Sequence, residues 1–216
     1  KILANAAKLF NKQEDYEHYQ ALAEKIKQAI NDKYLNRETG IYASGVQTEL
    51  SVPLMWGIVP KDMKAKVARN LAKKVEEAGF HLDVGVLEAI LNALSENGEA
   101  ETAYKVAAQD TYPSWGCWIA NGATTLLENW DLNATRDISD NHMMFGEIGG
   151  WFYKGLGGIF PDPQQPGFKH ILLRPNFPSD LKQFEARHRS PYGEIQSQWE
   201  RKKKSVVYSV TIPANS

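Results

Sequence analysis

The chain has 216 residues, a formal net charge of -1 and 24% charged side chains, so its length allows one large domain or one domain with a small module. The near-neutral charge argues against a general nucleic-acid or membrane-surface binder, because both need a surplus of Lys and Arg. The single cysteine, Cys117, excludes an intrachain disulfide framework and a cysteine-based zinc site, and no apolar run is long enough to span a bilayer.

The beginning of the chain lacks the marks of a natural start. It opens on KILANAAKLF, with no methionine and no signal-peptide pattern. We therefore expect the chain to be a piece of a longer protein.

Residues 1–110 predict successive helices. One helix lies within residues 14–34, and another runs between Pro60 and Gly79, which are typical start and stop residues. Apolar residues at helical spacing predict a third helix that ends at Asn97 and a fourth that follows at once, so these two should form an antiparallel helical hairpin. Paired helices with loops rich in glycine, proline and aromatic residues favour an α/α toroid or a helical repeat array.

Residues 111–166 form a weakly acidic window that is rich in tryptophan. They carry two basic side chains, six acidic side chains and four of the six tryptophans: Trp115, Trp118, Trp130 and Trp151. Carboxylates among tryptophans suit a neutral polyol such as a sugar, which stacks its C–H faces on the rings and hydrogen-bonds through its hydroxyls. The same composition is also typical of an ordinary aromatic core.

Glu128 is the first candidate for chemistry in this window. The stretch Ile119–Trp130 predicts a helix on which Glu128 lies off the apolar stripe and shares a face with the hydroxyls of Thr124 and Thr125. A carboxylate on a rigid helix, near hydroxyls and tryptophans, is a plausible general base. A surface glutamate in an ordinary helix fits the pattern equally well.

His142 is the second candidate, and it precedes a further predicted helix that contains Phe145 and Ile148. A lone histidine is more often a core or surface residue than a catalytic one. No second His, Cys or carboxylate stands at metal-ligand spacing with His142, which gives a metal site little support. The sequence also lacks a Gly-x-Ser-x-Gly elbow, a phosphate-binding loop and a dinucleotide fingerprint.

The pattern changes after Gly158. The stretch PDPQQPG is interpreted as a proline-rich linker, and beyond it apolar residues alternate as they do in strands. Residues 190–193 predict a hairpin turn between strands at 181–189 and 194–201, in a module more typical of part of an antiparallel β-sandwich than of an independent domain. The basic run 201–204 has a nucleic-acid interpretation, but a solvated turn that protects a sheet edge is favoured.

Four short motifs follow one another between residues 112 and 153. They are YPSW at 112–115, NGATTLLENWD at 121–131, NH at 141–142 and GWFY at 150–153. In order and spacing they resemble YPSW, GATT-x-x-E-x-W-(D/N), NH and G-(D/G)-W-(L/F)-Y of the α-L-rhamnosidases of glycoside hydrolase family 78. The resemblance extends over nearly the whole chain.

This resemblance implies a mainly α fold. Residues 1–158 would be the C-terminal part of an (α/α)6 toroid, the six-hairpin glycosidase fold. Residues 159–216 would be a C-terminal antiparallel β-sandwich module, which we expect to be truncated. The implied protein is a bacterial inverting hydrolase that releases terminal α-L-rhamnose from glycosides or polysaccharides. It needs no metal or organic cofactor, and the periplasm or the extracellular space is a better-fitting location than the cytoplasm.

The resemblance also implies roles for individual residues. Glu128 would be the catalytic general base, Trp115 and His142 would line the sugar subsite, and Trp118 and Trp130 are added as substrate-binding candidates. The acidic, Arg-containing motif of the general acid has no counterpart in this sequence. We therefore expect the remaining N-terminal part of the same enzyme to supply the acid. The expected substrate is a rhamnose-containing glycan or glycoside, with no nucleic acid partner and no membrane insertion.

Some alternatives stay open at this point. Pairing Glu128 with Glu147 or Asp131 would place both catalytic carboxylates in this chain, but Asp131 follows only three residues on and Glu147 has no counterpart in the family. Asp83 stands where similar proteins usually carry a hydroxyl residue, which could change the accepted linkage. The alternative functions are another (α/α)6 glycosidase or phosphorylase, and a non-catalytic sugar-binding helical module.

Overall fold

The structure is a computed structural model that describes residues 1–82, 87–214 and 216. Helices dominate its N-terminal part, and a short hairpin of β1 (Leu35–Asn36) and β2 (Ile41–Tyr42) follows the second of them. The helices are α1 (Ile2–Leu9), α2 (Gln13–Tyr34), α3 (Gln47–Met55), α4 (Lys64–Glu77), α5 (Leu87–Glu96), α6 (Ala100–Ala108), α7 (Trp115–Ala120) and α8 (Glu147–Trp151). The four helices predicted within residues 1–110 are confirmed as α2, α4, α5 and α6. None of the described helices is long and apolar enough to cross a bilayer.

Short turns of other helical types flank two of these helices. A 3-10 turn at Lys61–Met63 leads into α4, and another at Met143–Gly146 leads into α8. A π-helical turn at Phe152–Leu156 continues directly from α8. The helix predicted after His142 is therefore present, but it is built of three short pieces with different hydrogen-bond patterns.

The main hydrophobic core lies among α3, α4, α5 and α6. The third helix packs against α4 and α5, and α5 packs against α6, as predicted for the helical hairpin. On α4, Val67, Leu71 and Val75 repeat every four residues and are fully buried, which is why an otherwise polar sequence forms a helix here. Ile90 and Leu94 of α5 belong to the same core cluster.

Helices α1 and α2 contact each other but leave much apolar surface in solvent. Ile2 is 76% exposed and Trp56 is 57% exposed, and Leu22 and Ile26 of α2 are also exposed. These side chains line an open groove of about 510 Å³. Contiguous exposed apolar surface of this kind is typical of an interaction site.

The predicted helix Ile119–Trp130 is wrong, because α7 ends at Ala120. The side-chain amide of Asn121 donates a hydrogen bond back to the carbonyl oxygen of Cys117 at 2.8 Å. Gly122 then takes a φ of +86°, the left-handed conformation that commonly ends a helix. The chain continues as an irregular loop through residues 123–142, so Glu128 does not lie on a helix.

The C-terminal part consists of two small antiparallel sheets. One pairs β3 (Ile159–Pro161) with β4 (Ile171–Leu173), and the other contains β5 (Gln183–Ser190), β6 (Gly193–Arg201) and β7 (Val206–Thr211) in that order. These bounds confirm the hairpin turn predicted at residues 190–193. Of the basic run, residues 202–204 lie in an exposed turn between β6 and β7, as predicted, whereas Arg201 ends β6 and donates to the carbonyl oxygens of Phe177 and Pro178.

The interpretation of PDPQQPG as a linker is wrong. The stretch forms most of the loop between β3 and β4, where the backbone N–H of Asp162 donates to the carbonyl oxygen of His170 at 3.2 Å. The prolines and the glycine that suggested a linker instead allow the chain to reverse within a hairpin.

Buried hydrogen bonds fix the sheets to the helical part. The indole N–H of Trp199 donates to the carbonyl oxygen of Leu156 at 3.0 Å, and the hydroxyl of Ser197 donates to that of Gly157 at 2.6 Å. Gly158 has a φ of +67°, and a Cβ atom at this position would lie 2.1 Å from the backbone nitrogen of Pro175. Only glycine allows two backbone segments to approach so closely at a positive φ. The joint between the two parts is therefore closely packed.

Candidate active site

Four buried aromatic side chains anchor the candidate site. Trp115 and Trp118 lie on α7, Trp130 lies in the loop after it, and Phe145 lies in the turn before α8. The ring centroids of Trp130 and Phe145 are 4.3 Å apart, and those of Trp115 and Trp130 are 5.2 Å apart with perpendicular rings. The hydroxyl of Ser114 accepts the backbone N–H of Cys117 and caps α7, so that the helix begins at Trp115. We call these four residues the aromatic cluster.

The indole N–H groups of the cluster are not all satisfied. Trp115 donates to the carbonyl oxygen of Phe145 at 3.0 Å, and Trp118 donates to that of Trp130 at 3.2 Å. The indole N–H of Trp130 is buried and has no acceptor among the described residues. The structure thus places Trp115 and Trp118 in the interior with internal partners, whereas Trp130 keeps an unused donor. Direct contact of these three rings with a sugar stays a prediction.

The loop 123–142 folds back on itself so that residues 125–128 run beside residues 139–142. The backbone N–H of Glu128 donates to the carbonyl oxygen of Ser139 at 3.0 Å, and the backbone N–H of His142 donates to that of Leu126 at 2.8 Å. The hydroxyl of Thr125 donates to the carbonyl oxygen of Asp140. This pairing brings the two sequence-predicted candidates, Glu128 and His142, to the same place.

Glu128 and His142 face each other across the paired segments. Nδ1 of His142 lies 3.7 Å from Oε1 of Glu128, and their side chains are 35% and 27% exposed, respectively. The other carboxylate oxygen, Oε2, accepts a hydrogen bond from the backbone N–H of Ser139 at 3.1 Å. A distance of 3.7 Å is longer than a direct hydrogen bond, so a water molecule or a substrate hydroxyl can contact both groups. The arrangement suits a carboxylate that accepts a proton from a bound oxygen atom.

A small cavity of about 60 Å³ opens beside Glu128. A cavity of this size can hold a water molecule. Its lining includes the acidic residues Asp131, Asp137 and Asp140. Only Asp131 was considered as a site residue from the sequence. Oδ1 of Asp131 accepts the backbone N–H of Asn133 at 2.9 Å, which gives it a local role in the turn.

Other residues considered from the sequence lie elsewhere. Glu147 is the first residue of α8. Asp83 lies outside the described residues. Sequence reasoning missed Ser139, because the contact comes from its backbone N–H and no side-chain motif signals it. Within the described residues, no three His, Cys, Asp or Glu side chains are grouped so that they could hold a metal ion.

Two protein-family models together match almost the entire chain. Residues 1–156 match the bacterial alpha-L-rhamnosidase 6 hairpin glycosidase domain, and residues 158–216 match the bacterial alpha-L-rhamnosidase C-terminal domain. The fold is thus the predicted one: a six-hairpin glycosidase domain followed by a C-terminal domain with small antiparallel sheets.

Related proteins and solved structures agree with this assignment. The chain is 31% identical to an alpha-L-rhamnosidase of Formosa agariphila, over its full length and 24% of that protein. The structure of an alpha-L-rhamnosidase from Dictyoglumus thermophilum has 37% identity and a TM-score of 0.89, covering all of this chain and 25% of that one. A Streptomyces avermitilis alpha-L-rhamnosidase solved in complex with L-rhamnose has 26% identity and a TM-score of 0.87, covering 99% of this chain and 21% of that one. The chain therefore spans about a quarter of the length of these relatives.

Proposed function

The chain belongs to the bacterial alpha-L-rhamnosidase family, and we propose that it carries Glu128 as the general base of an inverting glycoside hydrolase. The hydrolase would release terminal α-L-rhamnose from glycosides or polysaccharides. The observation that carries the proposal is the pairing of Glu128 with His142 at 3.7 Å, on a loop anchored by the aromatic cluster and inside the six-hairpin glycosidase match.

In the proposed reaction two carboxyl groups flank the glycosidic bond. An inverting enzyme keeps them about 6.5–9.5 Å apart, so that a water molecule fits between the base and the anomeric carbon. Glu128 removes a proton from this water while the water oxygen forms a bond to the anomeric carbon. The bond from that carbon to the leaving oxygen breaks, and a carboxylic acid supplied by sequence outside this chain protonates the leaving oxygen.

The remaining site residues have proposed roles in holding the sugar. His142 hydrogen-bonds sugar hydroxyls from its position beside Glu128. Trp115, Trp118 and Trp130 provide aromatic surface for the apolar face of the sugar, which the 6-deoxy methyl group of rhamnose enlarges.

The proposed partner in the protein is the rest of the toroid. Because the chain spans about a quarter of its relatives, we expect further helices to cover the exposed groove between α1 and α2. This region would also bring the general acid, and the boundary between the toroid and the β module would lie near residue 158.

The central test is Glu128→Gln in the full-length protein. We expect kcat for an aryl α-L-rhamnoside to fall by about 10²- to 10⁴-fold, which is the usual loss when a general base is removed. Glu194→Gln, at the start of the distant strand β6, is the matched control and should leave kcat unchanged. Near-normal hydrolysis by Glu128→Gln would contradict the proposal.

Further measurements separate the alternatives. The first-formed rhamnose should have the β configuration by NMR, as inversion requires. Glu147→Gln tests the rival pair of carboxylates, and a fall in kcat as large as that of Glu128→Gln would favour that pair.

A panel of aryl glycosides, with and without phosphate, distinguishes the proposed α-L-rhamnosidase from another glycosidase or a phosphorylase. Sugar binding without any hydrolysis by the full-length protein would favour a binding module.

A further inference from the structure

Thr125 is an exposed side chain with an indirect connection to the proposed base. We propose that Thr125 is a positioning residue: its hydroxyl fastens residues 139–142 to residues 125–128, so that Ser139 and His142 keep the carboxylate of Glu128 in its working orientation. The inference rests on the proposed function, because it assigns a role toward the same base.

Two contacts define the orientation of the Glu128 carboxylate. The backbone N–H of Ser139 holds Oε2 at 3.1 Å, and the imidazole of His142 lies 3.7 Å from Oε1. One oxygen is thereby occupied by a donor that cannot leave without moving the backbone. The other oxygen faces His142 and is left for a water molecule.

Both contacts depend on where residues 139–142 lie. This segment is part of an irregular loop, and two backbone hydrogen bonds pair it with residues 125–128. So short a pairing gains little to offset the entropy lost when a loop is closed. Any further bond across it should therefore have a measurable effect on the geometry at Glu128.

Thr125 supplies that further bond. Its hydroxyl donates to the carbonyl oxygen of Asp140, the residue directly after Ser139. A threonine has a restricted χ1 angle, so its hydroxyl is held in one direction better than that of serine. The acceptor is a backbone carbonyl, so the bond fixes the main chain that carries the Ser139 N–H and leads to His142.

The adjacent Thr124 offers a matched control. It is also an exposed threonine in the same loop, one residue earlier, and none of the contacts that pair residues 125–128 with 139–142 involves it. Thr125→Val removes the hydroxyl while keeping the branched shape, and Thr124→Val makes the same chemical change beside it. Thr125→Ser restores a hydroxyl at the position, and Thr125→Ala is a second variant should the valine disturb folding.

The experiment measures kcat and KM for an aryl α-L-rhamnoside with these variants of the full-length protein. We expect Thr125→Val and Thr125→Ala to lower kcat by about 10-fold, the loss equivalent to one hydrogen bond, with KM changed by less than about threefold. Thr124→Val should keep the wild-type kcat, and Thr125→Ser should recover most of it. In a Glu128→Gln background, Thr125→Val should have no further effect, because its influence acts through that carboxylate.

The outcomes separate this inference from the proposed function. If Glu128→Gln abolishes hydrolysis but Thr125→Val and Thr124→Val have equal kcat values, the positioning role alone is wrong. A rise in KM at unchanged kcat, or an undiminished loss in the Glu128→Gln background, also overturns it. If Glu128→Gln hydrolyses the substrate at a near-normal rate, the proposed function fails together with the positioning role.

Discussion

Nδ1 of His142 lies 3.7 Å from Oε1 of Glu128, although the two residues lie on different segments of an irregular loop. The backbone hydrogen bonds between residues 125–128 and 139–142 create this proximity. The relationship therefore depends on the folded loop rather than on a shared helix face.

The first prediction concerns His142 itself. His142→Ala removes the ring beside Glu128 but leaves the carboxylate and its bond from Ser139. We expect KM for an aryl α-L-rhamnoside to rise by about 10-fold, the loss of one hydrogen bond to the sugar, with a smaller fall in kcat than in Glu128→Gln. His170→Ala, in the loop between β3 and β4, serves as the control. An unchanged KM in His142→Ala would contradict the assigned role.

The second prediction compares two tryptophans of the aromatic cluster. Trp118→Phe removes the donor to the buried carbonyl oxygen of Trp130, and we expect the free energy of unfolding to fall by about 1–3 kcal/mol beyond the loss from reduced ring size. Trp130→Phe removes a buried donor without an acceptor among the described residues, so its loss should be smaller. Urea unfolding of the two variants measures the difference. An equal or larger loss at Trp130 would show that its indole N–H has a partner in solution.

The third prediction concerns two glycines in helices near the site. A Cβ atom at Gly116 of α7 would lie 2.4 Å from the backbone oxygen of Gln109, whereas one at Gly149 of α8 meets nothing within 4 Å. Gly116→Ala should therefore destabilise the protein by about 1–3 kcal/mol through overpacking. Gly149→Ala should stabilise it by up to about 1 kcal/mol, because alanine has the higher helix propensity. Thermal unfolding of both variants tests the prediction, and equal midpoints would refute it.

The fourth prediction concerns pH and the start of α3. The hydroxyl of Ser44 and the backbone N–H groups of Ser44, Gly45 and Val46 donate to the carboxylate of Glu49 and hold its pKa below the ordinary value of 4.5. Because the folded-state pKa is lowered, the stabilisation is fully present above about pH 4.5 and is lost as the pH falls through the folded-state pKa.

Glu49→Gln tests this dependence because glutamine cannot ionise. The variant should be less stable than the wild type at about pH 6, and the difference should shrink toward about pH 3, where the wild-type carboxylate is protonated. Thermal unfolding across this range measures it. Glu77→Gln is the control, since the pairs of Glu77 with Lys73 and Lys74 are exposed and contribute little. Parallel curves for Glu49→Gln and the wild type would contradict the prediction.

The helical part was largely predictable from the sequence because its signals are local. On α4, an apolar residue every fourth position and a glycine after the last turn indicate both the helix and its buried face. The hairpin between β5 and β6 was predictable for the same reason, since Pro191 and Gly193 mark the turn.

The loop that carries Glu128 was not predictable in this way. Ile119, Ala123 and Leu126 have helical spacing, but Gly122 ends the helix and the partners of residues 125–128 come from residues 139–142. The apolar residues of the loop are partly buried because they pack on the core. Their spacing in the sequence happens to match that of a buried helix face, although they do not lie on a helix. Glu128 and His142 could be named from their motifs, whereas the orienting N–H of Ser139 depends on tertiary pairing and leaves no mark in the sequence.

The close passage of Gly158 past Pro175 has an evolutionary consequence. Position 158 has room only for the hydrogen atom of a glycine. The residue at the end of the helical part therefore depends on the backbone path of the C-terminal module. An unrelated module in its place would have to reproduce the same backbone path, together with donors equivalent to Ser197 and Trp199 for the carbonyl oxygens of Gly157 and Leu156. The two parts are therefore expected to be inherited as one unit, and gene fusions that separate them at this joint should be selected against.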